Sequence, residues 1–431
     1  MNSETVKTIV LCVLIAISLY LSFKLWSYQP SYSEVIPEEI IPEVDIDGIE
    51  KTKQQLIQPR KIIFHDDGKF YALKDPKEQE KLYNEMISWE ISDFAFGPKE
   101  EETEGKKLLE VIFPNPLNMQ LVTNFFDFQN QDLDFPTWSF QRMQILQNEE
   151  DNLLTVDFPS IDGRNVAVGT FQNLNYMKLV ENYFSREDFN EYILYPDEDL
   201  QIYLPKDQVS LPRITTRYTT IRPDKLIQVL FSDPSVVNQS SSSNLGQLFF
   251  TDNSQLRVYQ DGSKMEYVSP VAEEMTWMTA NDLLNFSLDH VNDHKGWTDD
   301  YSLLDIKESQ NRIIYQLNYN GYPVFSSRDL TTLEQKWNNQ RLIEYHRPLF
   351  RLSDPLDETT VDLPASLEVI NYVQNLPNDF ADDILDIQIG YRLSYESDER
   401  IIVLSPSWFA NVGGNMVEVN QNEADYLKGG D

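Results

Sequence analysis

Cysteine is almost absent from this chain: Cys12 is the single one among 431 residues. One cysteine excludes an intramolecular disulfide framework, a cysteine-rich zinc module and a cysteine-ligated iron–sulfur cluster. Glycine is also scarce, with 15 residues, and the sequence has no glycine-rich phosphate loop, Gly-x-Gly-x-x-Gly motif or Gly-x-Ser-x-Gly elbow. These absences leave no motif typical of an enzyme, and we expect no catalytic residue and no cofactor.

Positive charge is the second scarcity. Lysine and arginine number 35 against 70 aspartates and glutamates, which gives a formal net charge of −35. A surface this acidic repels nucleic acid and anionic polymers, so nucleic acid is not an expected partner. A hydrophobic fraction of 41% is sufficient for folded cores. The charge suits a protein partner or a small ligand, with solubility alone as the alternative explanation.

One apolar segment predicts a transmembrane helix over residues 8–28. Residues 8–23 carry no charge, and a segment of about 21 residues is long enough to cross a hydrocarbon core of about 30 Å. Lys24, Trp26 and Tyr28 are predicted to anchor its end at the membrane interface, because lysine can snorkel and aromatic rings prefer that depth. No small-x-small cleavage site follows, which favours an uncleaved signal anchor over a signal peptide.

The charges on either side of this segment predict its orientation. Residues 1–7 carry Lys7 and the α-amine, whereas residues 25–50 contain seven acids and no lysine or arginine. Positive charge stays on the cytoplasmic side. We therefore predict a cytoplasmic tail (1–7), a single pass through the cell membrane and an extracytoplasmic ectodomain.

Small residues in the predicted span are candidate contacts for partner helices. Thr8, Cys12 and Ala16 recur at every fourth position, and Ser18 and Ser22 lie on a roughly opposite face. Small side chains allow helices to approach closely in a membrane, and hydroxyls can hydrogen-bond across the interface. These five residues are the hypothetical partner contact, and a generic anchor is the alternative.

The remaining chain predicts an α+β ectodomain of three domains, with antiparallel sheets and helices packed on one face. Clustered prolines at 205–212 and a change of pattern after residue 276 mark the expected boundaries. The predicted order is an extended stalk (29–50), an N-terminal domain (51–210), a central domain (211–276), a C-terminal domain (277–420) and a frayed tail (421–431).

Local patterns predict individual elements within these domains. Asp67-Gly68 between two apolar runs indicates a hairpin, and the serine-rich residues 238–244 indicate a flexible loop. Leu304-Asp305-Ile306 and Leu385-Asp386-Ile387 each follow a predicted helix, which suggests a duplicated unit or a coincidence. Apolar spacing and caps predict helices at 76–89, 172–184, 279–291 and 364–374 and after Pro223, and a three-strand meander over 248–268.

His290 and His294 lie four residues apart on a predicted helix, as two zinc ligands would. The His-Glu-x-x-His pattern is absent, because Val291 follows His290. Two histidines without a visible third ligand are typical of a solvated helix face. We therefore expect no metal site.

Short motifs along the whole chain carry a resemblance to a known family. Those at the N-terminus are Lys7-Thr8, Ser18-Leu19-x-Leu21-Ser22 and Leu25-Trp26-Ser27-Tyr28-Gln29-Pro30-Ser31-Tyr32. Those further along are Pro59-Arg60-Lys61-Ile62-Ile63, Ser88-Trp89, Arg347-Pro348-Leu349-Phe350 and Leu404-Ser405-Pro406-Ser407-Trp408. In these motifs, and in its layout of short tail, one span and large ectodomain, the chain resembles YycH proteins.

The resemblance implies a non-enzymatic regulator. YycH proteins of low-GC Gram-positive bacteria act with a smaller single-span sister protein, YycI, on the sensor histidine kinase (YycG/WalK type) of an essential two-component system that controls cell-wall metabolism. The resemblance implies contact with that kinase through transmembrane helices, and a three-domain ectodomain whose last two domains share a fold with YycI. The alternatives are an extracytoplasmic wall-active enzyme that uses two carboxylates, and a sensor that binds a wall fragment between domains.

Overall fold

The structure is a computed structural model. It describes residue 18 and residues 44–99, 106–129, 133–147, 153–171, 189–197, 200–242, 246–270, 274–375 and 383–419. The chain divides into two units, Met1–Pro42 and Glu43–Asp431, and both sheets belong to the second. Within the described ranges, no helix is both long and apolar enough to cross a membrane. Apart from Ser18, the predicted span lies outside these ranges, as do the predicted helix 172–184 and the tail 421–431.

The first sheet has ten strands in the order β10-β9-β2-β1-β4-β6-β7-β8-β3-β5. Neighbouring strands are antiparallel except β3 and β5, which are parallel. The strands are β1 (Lys61–Asp66), β2 (Lys69–Leu73), β3 (Glu90–Pro98), β4 (Lys106–Asn118), β5 (Asp127–Phe128), β6 (Ser139–Gln147), β7 (Leu154–Pro159), β8 (Asn165–Phe171), β9 (Phe189–Leu194) and β10 (Tyr203–Pro205).

The second sheet has fourteen strands and begins five residues after the first ends. Its main path is β12-β13-β14-β15-β20-β19-β17-β18-β22-β23-β11-β21, with β16 paired to β17 and β24 to β23. The strands are β11 (Ser210–Thr220), β12 (Asn238–Ser242), β13 (Gly246–Phe250), β14 (Gln255–Val258), β15 (Lys264–Val268), β16 (Tyr301–Lys307), β17 (Arg312–Tyr319), β18 (Tyr322–Phe325), β19 (Thr332–Asn338), β20 (Arg341–Pro348), β21 (Phe350–Asp362), β22 (Ile384–Glu396), β23 (Ile401–Val412) and β24 (Asn415–Glu418).

The predicted central and C-terminal domains both contribute strands to this second sheet, where β15 pairs with β20. The pairing of β18 with β22 is parallel, so the expectation of purely antiparallel sheets is wrong at one pair in each sheet. The division into three domains stays a prediction. The architecture is mostly sheet with some helices.

The helices are short and fit their sequence signals. Their bounds are α1 (Lys53–Leu56), α2 (Pro76–Met86), α3 (Pro223–Leu230), α4 (Ala280–Asn292) and α5 (Ser366–Gln374). Thr279 caps α4, because its hydroxyl accepts from the Asp282 amide while the Asp282 carboxylate accepts from the Thr279 amide. Leu284, Leu288 and Val291 form the buried face of α4.

Most of the local predictions tested by the described residues are confirmed, and two need correction. The Asp67-Gly68 hairpin and the meander are present. The serine-rich loop is wrong over Asn238–Ser242, which forms the edge strand β12 and pairs with β13. All five of its side chains are exposed, and an edge strand can pair through its backbone without an apolar face. The helix predicted over 76–89 ends at Met86, and Trp89 packs in the core beyond it.

Candidate functional site

The predicted transmembrane site is almost entirely beyond what the structure describes. Ser18 is in a helix with an exposed side chain. The other partner-contact and anchor residues lie outside the described ranges: Thr8, Cys12, Ala16, Ser22, Lys24, Trp26 and Tyr28. Their roles stay a prediction. The described part of the chain offers three features of its own.

The first feature is a segment that fastens the start of the folded unit to the second half of the chain. We call residues 45–51 the strap. The amides of Ile46 and Ile49 donate to the carbonyl oxygens of His294 and Trp297, at 3.1 and 3.0 Å. Both acceptors belong to the segment that follows α4. The strap is therefore bonded through its backbone to the connection between α4 and β16.

Ion pairs and side-chain hydrogen bonds add to the backbone bonds of the strap. Lys51 and Asn292 exchange two hydrogen bonds, at 3.0 and 2.9 Å. The other polar contacts are Lys51 Nζ to Asp300 Oδ1 (2.9 Å) and Tyr301 O (2.7 Å), Lys225 Nζ to Asp47 Oδ2 (2.9 Å) and Asp45 O (2.6 Å), Lys295 Nζ to Asp45 Oδ2 (3.1 Å) and an Arg351 guanidinium nitrogen to Asp47 O (2.7 Å). Residues 45–50, which the sequence places in the stalk, are thus bonded to α3, to the segment after α4 and to the second sheet, and Lys51 is bonded to α4 itself.

Close approach of the backbone requires glycine at one position of the strap. A Cβ atom on Gly48 would lie 2.7 Å from Trp297 O and closer still to Lys295 O. A carbon and an oxygen atom at these distances would clash. Any other residue at this position therefore forces the strap away from the segment that follows α4.

The second feature is a buried polar cluster next to the strap. Arg347 is 1% exposed and donates to the Tyr345 hydroxyl and to Thr298 Oγ1, each at 3.1 Å, and to Pro348 O at 3.3 Å. Among the described residues, no carboxylate oxygen lies within 4 Å of its guanidinium. A buried cation without an adjacent anion is costly, since desolvation is not offset by a close opposite charge.

Four other side-chain atoms of this cluster have no hydrogen-bond partner within the described part of the chain. They are both ring nitrogens of His294, the hydroxyl of Tyr301 and Oδ2 of Asp299. Oδ1 of Asp299 does accept from the Leu352 amide, at 2.9 Å. Unpartnered buried polar atoms are rare in folded proteins and reduce stability.

The pKa values of the ionisable groups in the cluster depend on their burial and on the charges of their neighbours. Burial raises the pKa of Asp299 to about 7, against the lowering effects of the Leu352 amide and the Arg347 charge. Burial and the charge of Arg347 lower the pKa of His290 to about 4. Burial, His290 and Arg347 lower the pKa of His294 to about 2. Both histidines are therefore neutral, and Asp299 changes charge near neutral pH.

The expectation that His290 and His294 form a solvated face of one helix is wrong, because α4 ends at Asn292, before His294. His294 is buried, and Nδ1 of His290 lies 3.0 Å from Nε2 of Gln335. Both rings pack edge-on against Tyr345. Spacing alone could not show that β20 covers this face of the helix. In the described ranges, no three histidine, cysteine, aspartate or glutamate side chains are grouped as metal ligands would be.

The third feature is an open cleft of about 2810 Å³ with walls from both sheets. Asp299 lies in its wall, so the polar cluster borders the cleft. An ion pair between Arg60 and Asp386 joins the two halves across it. Asn115 Nδ2 donates to Leu304 O at 3.0 Å, at a second point of contact. Asp305 and Asp386, the aspartates of the two Leu-Asp-Ile segments that suggested a duplication, both line the cleft. Of the two, Asp386 forms the ion pair with the first half of the chain.

The first sheet contains a contrasting buried network around Glu110. This carboxylate is fully buried. It accepts from Arg142 at 3.1 Å and from the Tyr203 hydroxyl at 2.6 Å, and His65 Nε2 lies 3.5 Å away. Burial alone would raise the pKa of Glu110, but the contact with His65, the charges of Lys107 and Arg142, and Tyr203 outweigh burial and hold it far below its usual value.

The comparisons with known proteins agree with the sequence motifs. A family model described as "YycH protein, N-terminal domain" matches residues 4–188, and one described as "YycH protein, C-terminal domain" matches residues 199–427. The chain belongs to the YycH family. The resemblance predicted from the sequence is confirmed. The two YycH models divide between residues 188 and 199, close to the end of the first sheet at Pro205.

Two relatives show how far the similarity extends. "Two-component system WalR/WalK regulatory protein YycH" of Bacillus subtilis (strain 168) is 23% identical over 446 residues, which cover 98% of this chain and 97% of the relative. The crystal structure of YycH from Bacillus subtilis matches with a TM-score of 0.73 at 20% identity, covering 88% of this chain and 100% of that chain. This likeness shows that the mostly-sheet architecture is the YycH fold.

Proposed function

We propose that this chain regulates a WalR/WalK-type two-component system by acting on its sensor histidine kinase. The observation that carries the proposal is the match along 98% of the chain to a relative that bears this function in its name. Independently, the two family models match residues 4–188 and 199–427. The relevant comparison is therefore with a whole regulatory protein rather than with a shared module.

The proposal includes the topology predicted from the sequence. The chain crosses the cell membrane once through residues 8–28, with its N-terminus in the cytoplasm and a three-domain ectodomain outside. A YycI-like single-span protein and the kinase pack against Thr8, Cys12 and Ala16 on one face and against Ser18 and Ser22 on the other. Each helix contact contributes about 0.6–2 kcal/mol, and a kinase balanced within a few kcal/mol between two states needs no more.

The strap supports a role for the ectodomain in this regulation. Residues 45–51 connect the folded body to the chain that leads from the predicted span. Because the strap is bonded to α3, α4 and the second sheet, a rearrangement of the second half displaces the chain at residue 45. The ectodomain would then modulate the span contacts rather than act separately.

The cleft supports the second candidate function, a sensor that binds a wall fragment. Its walls combine polar side chains with Tyr319, Phe325, Tyr395 and Phe409, and aromatic faces beside polar groups suit a carbohydrate. A wall-active enzyme receives no comparable support. We propose that the protein is not an enzyme.

The span contact is tested in the full-length protein. Changing Ala16→Leu and Ser18→Leu together should preserve insertion and abundance, yet reduce co-purification with the kinase by about 3- to 30-fold, because bulky side chains prevent close helix packing. A wall-metabolism reporter controlled by the kinase should change in parallel. Ile17→Leu, which conserves volume, is the matched control and should change neither readout.

A replacement of the entire span separates anchor from contact. If an unrelated span of equal length regulates the reporter normally at equal abundance, residues 8–28 serve as an anchor alone. If even the wild-type chain leaves the reporter unchanged relative to a strain without it, the proposed function itself is wrong.

A further inference from the structure

We propose that Trp277 and Met275 form a preorganised docking anchor for a protein partner whose apolar pocket is rimmed by lysine or arginine. Trp277 is 65% exposed and Met275 is 48% exposed. Trp89, Trp297 and Trp408, in contrast, are buried in the core. We call residues 274–278 the Trp277 loop.

The backbone of this loop is fixed by two buried asparagines. Asn311 accepts from the Met278 amide at 3.2 Å and donates to Thr276 O at 2.6 Å. Asn338 accepts from the Thr276 amide at 2.9 Å and donates to Glu274 O at 3.3 Å. Both asparagines are 3% exposed. Four hydrogen bonds from the interior thus hold a loop in which residues 274–277 are exposed and Met278 is buried.

A fixed loop that exposes a tryptophan has the physical properties of a binding hot spot. Tryptophan is enriched among the few side chains that dominate interface affinity. Ordering a loop on association costs free energy, and a loop that is already ordered avoids much of that cost. Meanwhile the exposed ring gives the isolated protein no burial energy. A partner that covers Trp277 therefore gains affinity at little conformational cost.

The charge around the anchor indicates the chemistry of the partner. Arg341, an exposed cation, pairs with Asn338 in the sheet. Residues 274–282, which comprise the loop and the start of α4, contain no lysine or arginine but two acids, Glu274 and Asp282. Glu308 also lies at this end of α4, where its Oε1 accepts from the Ala280 amide at 2.8 Å. A cationic rim complements these carboxylates. An anionic lipid surface is repelled, and a second copy meeting the same loop would place acid against acid.

The test uses photo-crosslinking in the full-length protein in its own membrane. p-Benzoylphenylalanine replaces Trp277 in one variant and Leu367 in the control, because Leu367 is a similarly exposed side chain, at 62%, on α5. The probe at 277 should give a defined protein adduct at least about 5-fold stronger than the probe at 367. The crosslinked peptide should be apolar and flanked by lysine or arginine.

Affinity then checks the anchor with natural side chains. Trp277→Ala should weaken capture of the crosslinked protein at least about 10-fold, as expected for a central hot spot, whereas Leu367→Ala should stay within about 2-fold. Unchanged thermal midpoints show that both variants are folded. Capture should also weaken as salt rises.

Four results would overturn the proposal. They are equal crosslinking at 277 and 367, an adduct with lipid or with a second copy, an adduct with an acidic segment, and full capture by Trp277→Ala. The test does not require that the partner belong to a two-component system, so its failure is distinct from failure of the proposed function.

Discussion

The two sheets bury charge in opposite ways. In the first sheet, Glu110 is surrounded by Arg142, Tyr203 and His65, and both carboxylate oxygens have a partner within 3.5 Å. In the second half, Arg347 has neutral hydrogen-bond partners, and Asp299, whose pKa the Arg347 charge lowers, is not within ion-pair distance.

This difference separates a stabilising network from a costly one. Hydrogen-bonded partners can offset the desolvation cost of a buried charge, and removal of that charge leaves several groups unpaired. A buried cation whose neighbours lack partners has no comparable compensation. Stability therefore explains the Glu110 network but not the Arg347 cluster, which borders both the strap and the cleft.

Removal of the Glu110 carboxylate should have the largest effect. We expect Glu110→Met to lower the unfolding free energy by about 3–5 kcal/mol, because Arg142 loses its anion and Tyr203 its acceptor. Urea unfolding of the full-length protein in detergent measures this. Glu191→Met, which removes an exposed ion pair with Lys206 in the same sheet, should leave the midpoint within error. Equal losses from the two variants would contradict the comparison.

The pH dependence of the second half should have an intermediate effect. Asp299 has a raised pKa in the folded state, so its proton favours folding, and this contribution is lost as pH rises from about 4 through about 7. His290 and His294 have lowered pKa values, so their contribution is present above about 6.5 and is lost as pH falls below it.

Asp299→Asn should therefore remove the loss of stability that Asp299 causes between about pH 4 and about pH 7. We expect the variant to exceed the wild type by about 1–3 kcal/mol at pH 8 and to match it near pH 4. Thermal midpoints from pH 4 to pH 8 measure the difference, and the acid decline from the histidines should persist. A constant offset at every pH would show that Asp299 is not the titrating group.

Local sequence signals were sufficient where the cause of the structure is itself local. Thr279 caps α4 because its hydroxyl and the carboxylate of Asp282 are three residues apart. Asp67-Gly68 forms a hairpin turn for the same kind of reason, since glycine accepts the positive φ of 76° that the turn needs. Such elements could be predicted from a window of a few residues.

The candidate site could not be predicted in this way, because its contacts join distant parts of the chain. Lys51 and Asn292 are 241 residues apart, and Arg60 and Asp386 are 326 apart. The acids of residues 45–50 have the sequence pattern of a solvated stalk, because their cationic partners, Lys225 and Lys295, lie far along the chain. Arg347 belongs to a residue type that is rarely buried, so its sequence context predicts exposure. The resemblance to YycH proteins identified the family but assigned no role to these residues.

Detachment of the strap should have the smallest effect on global stability but a large effect on local hydrogen-exchange protection. Gly48→Ala places a Cβ against the backbone oxygens of Lys295 and Trp297, so the strap should detach while the two sheets stay folded. The amides of Ile46 and Ile49 donate to the carbonyl oxygens of His294 and Trp297. After detachment, the hydrogen-exchange rates of these two amides should rise at least about 10-fold. We expect the global unfolding free energy to fall by about 1–2 kcal/mol, because the strap can open while both sheets stay paired but its opening exposes Ile46, which is buried in the core.

Gly97→Ala is the matched control, because no atom lies within 4 Å of the Cβ position at Gly97 in β3. It should leave both protection and stability unchanged. If Gly48→Ala also alters output from the kinase while Gly97→Ala does not, the strap connects the unpaired polar cluster of the second half to the regulated partner. Loss of protection with normal output would restrict the strap to a structural role, and the Arg347 cluster would then need a different connection to function, through the cleft that Asp299 borders.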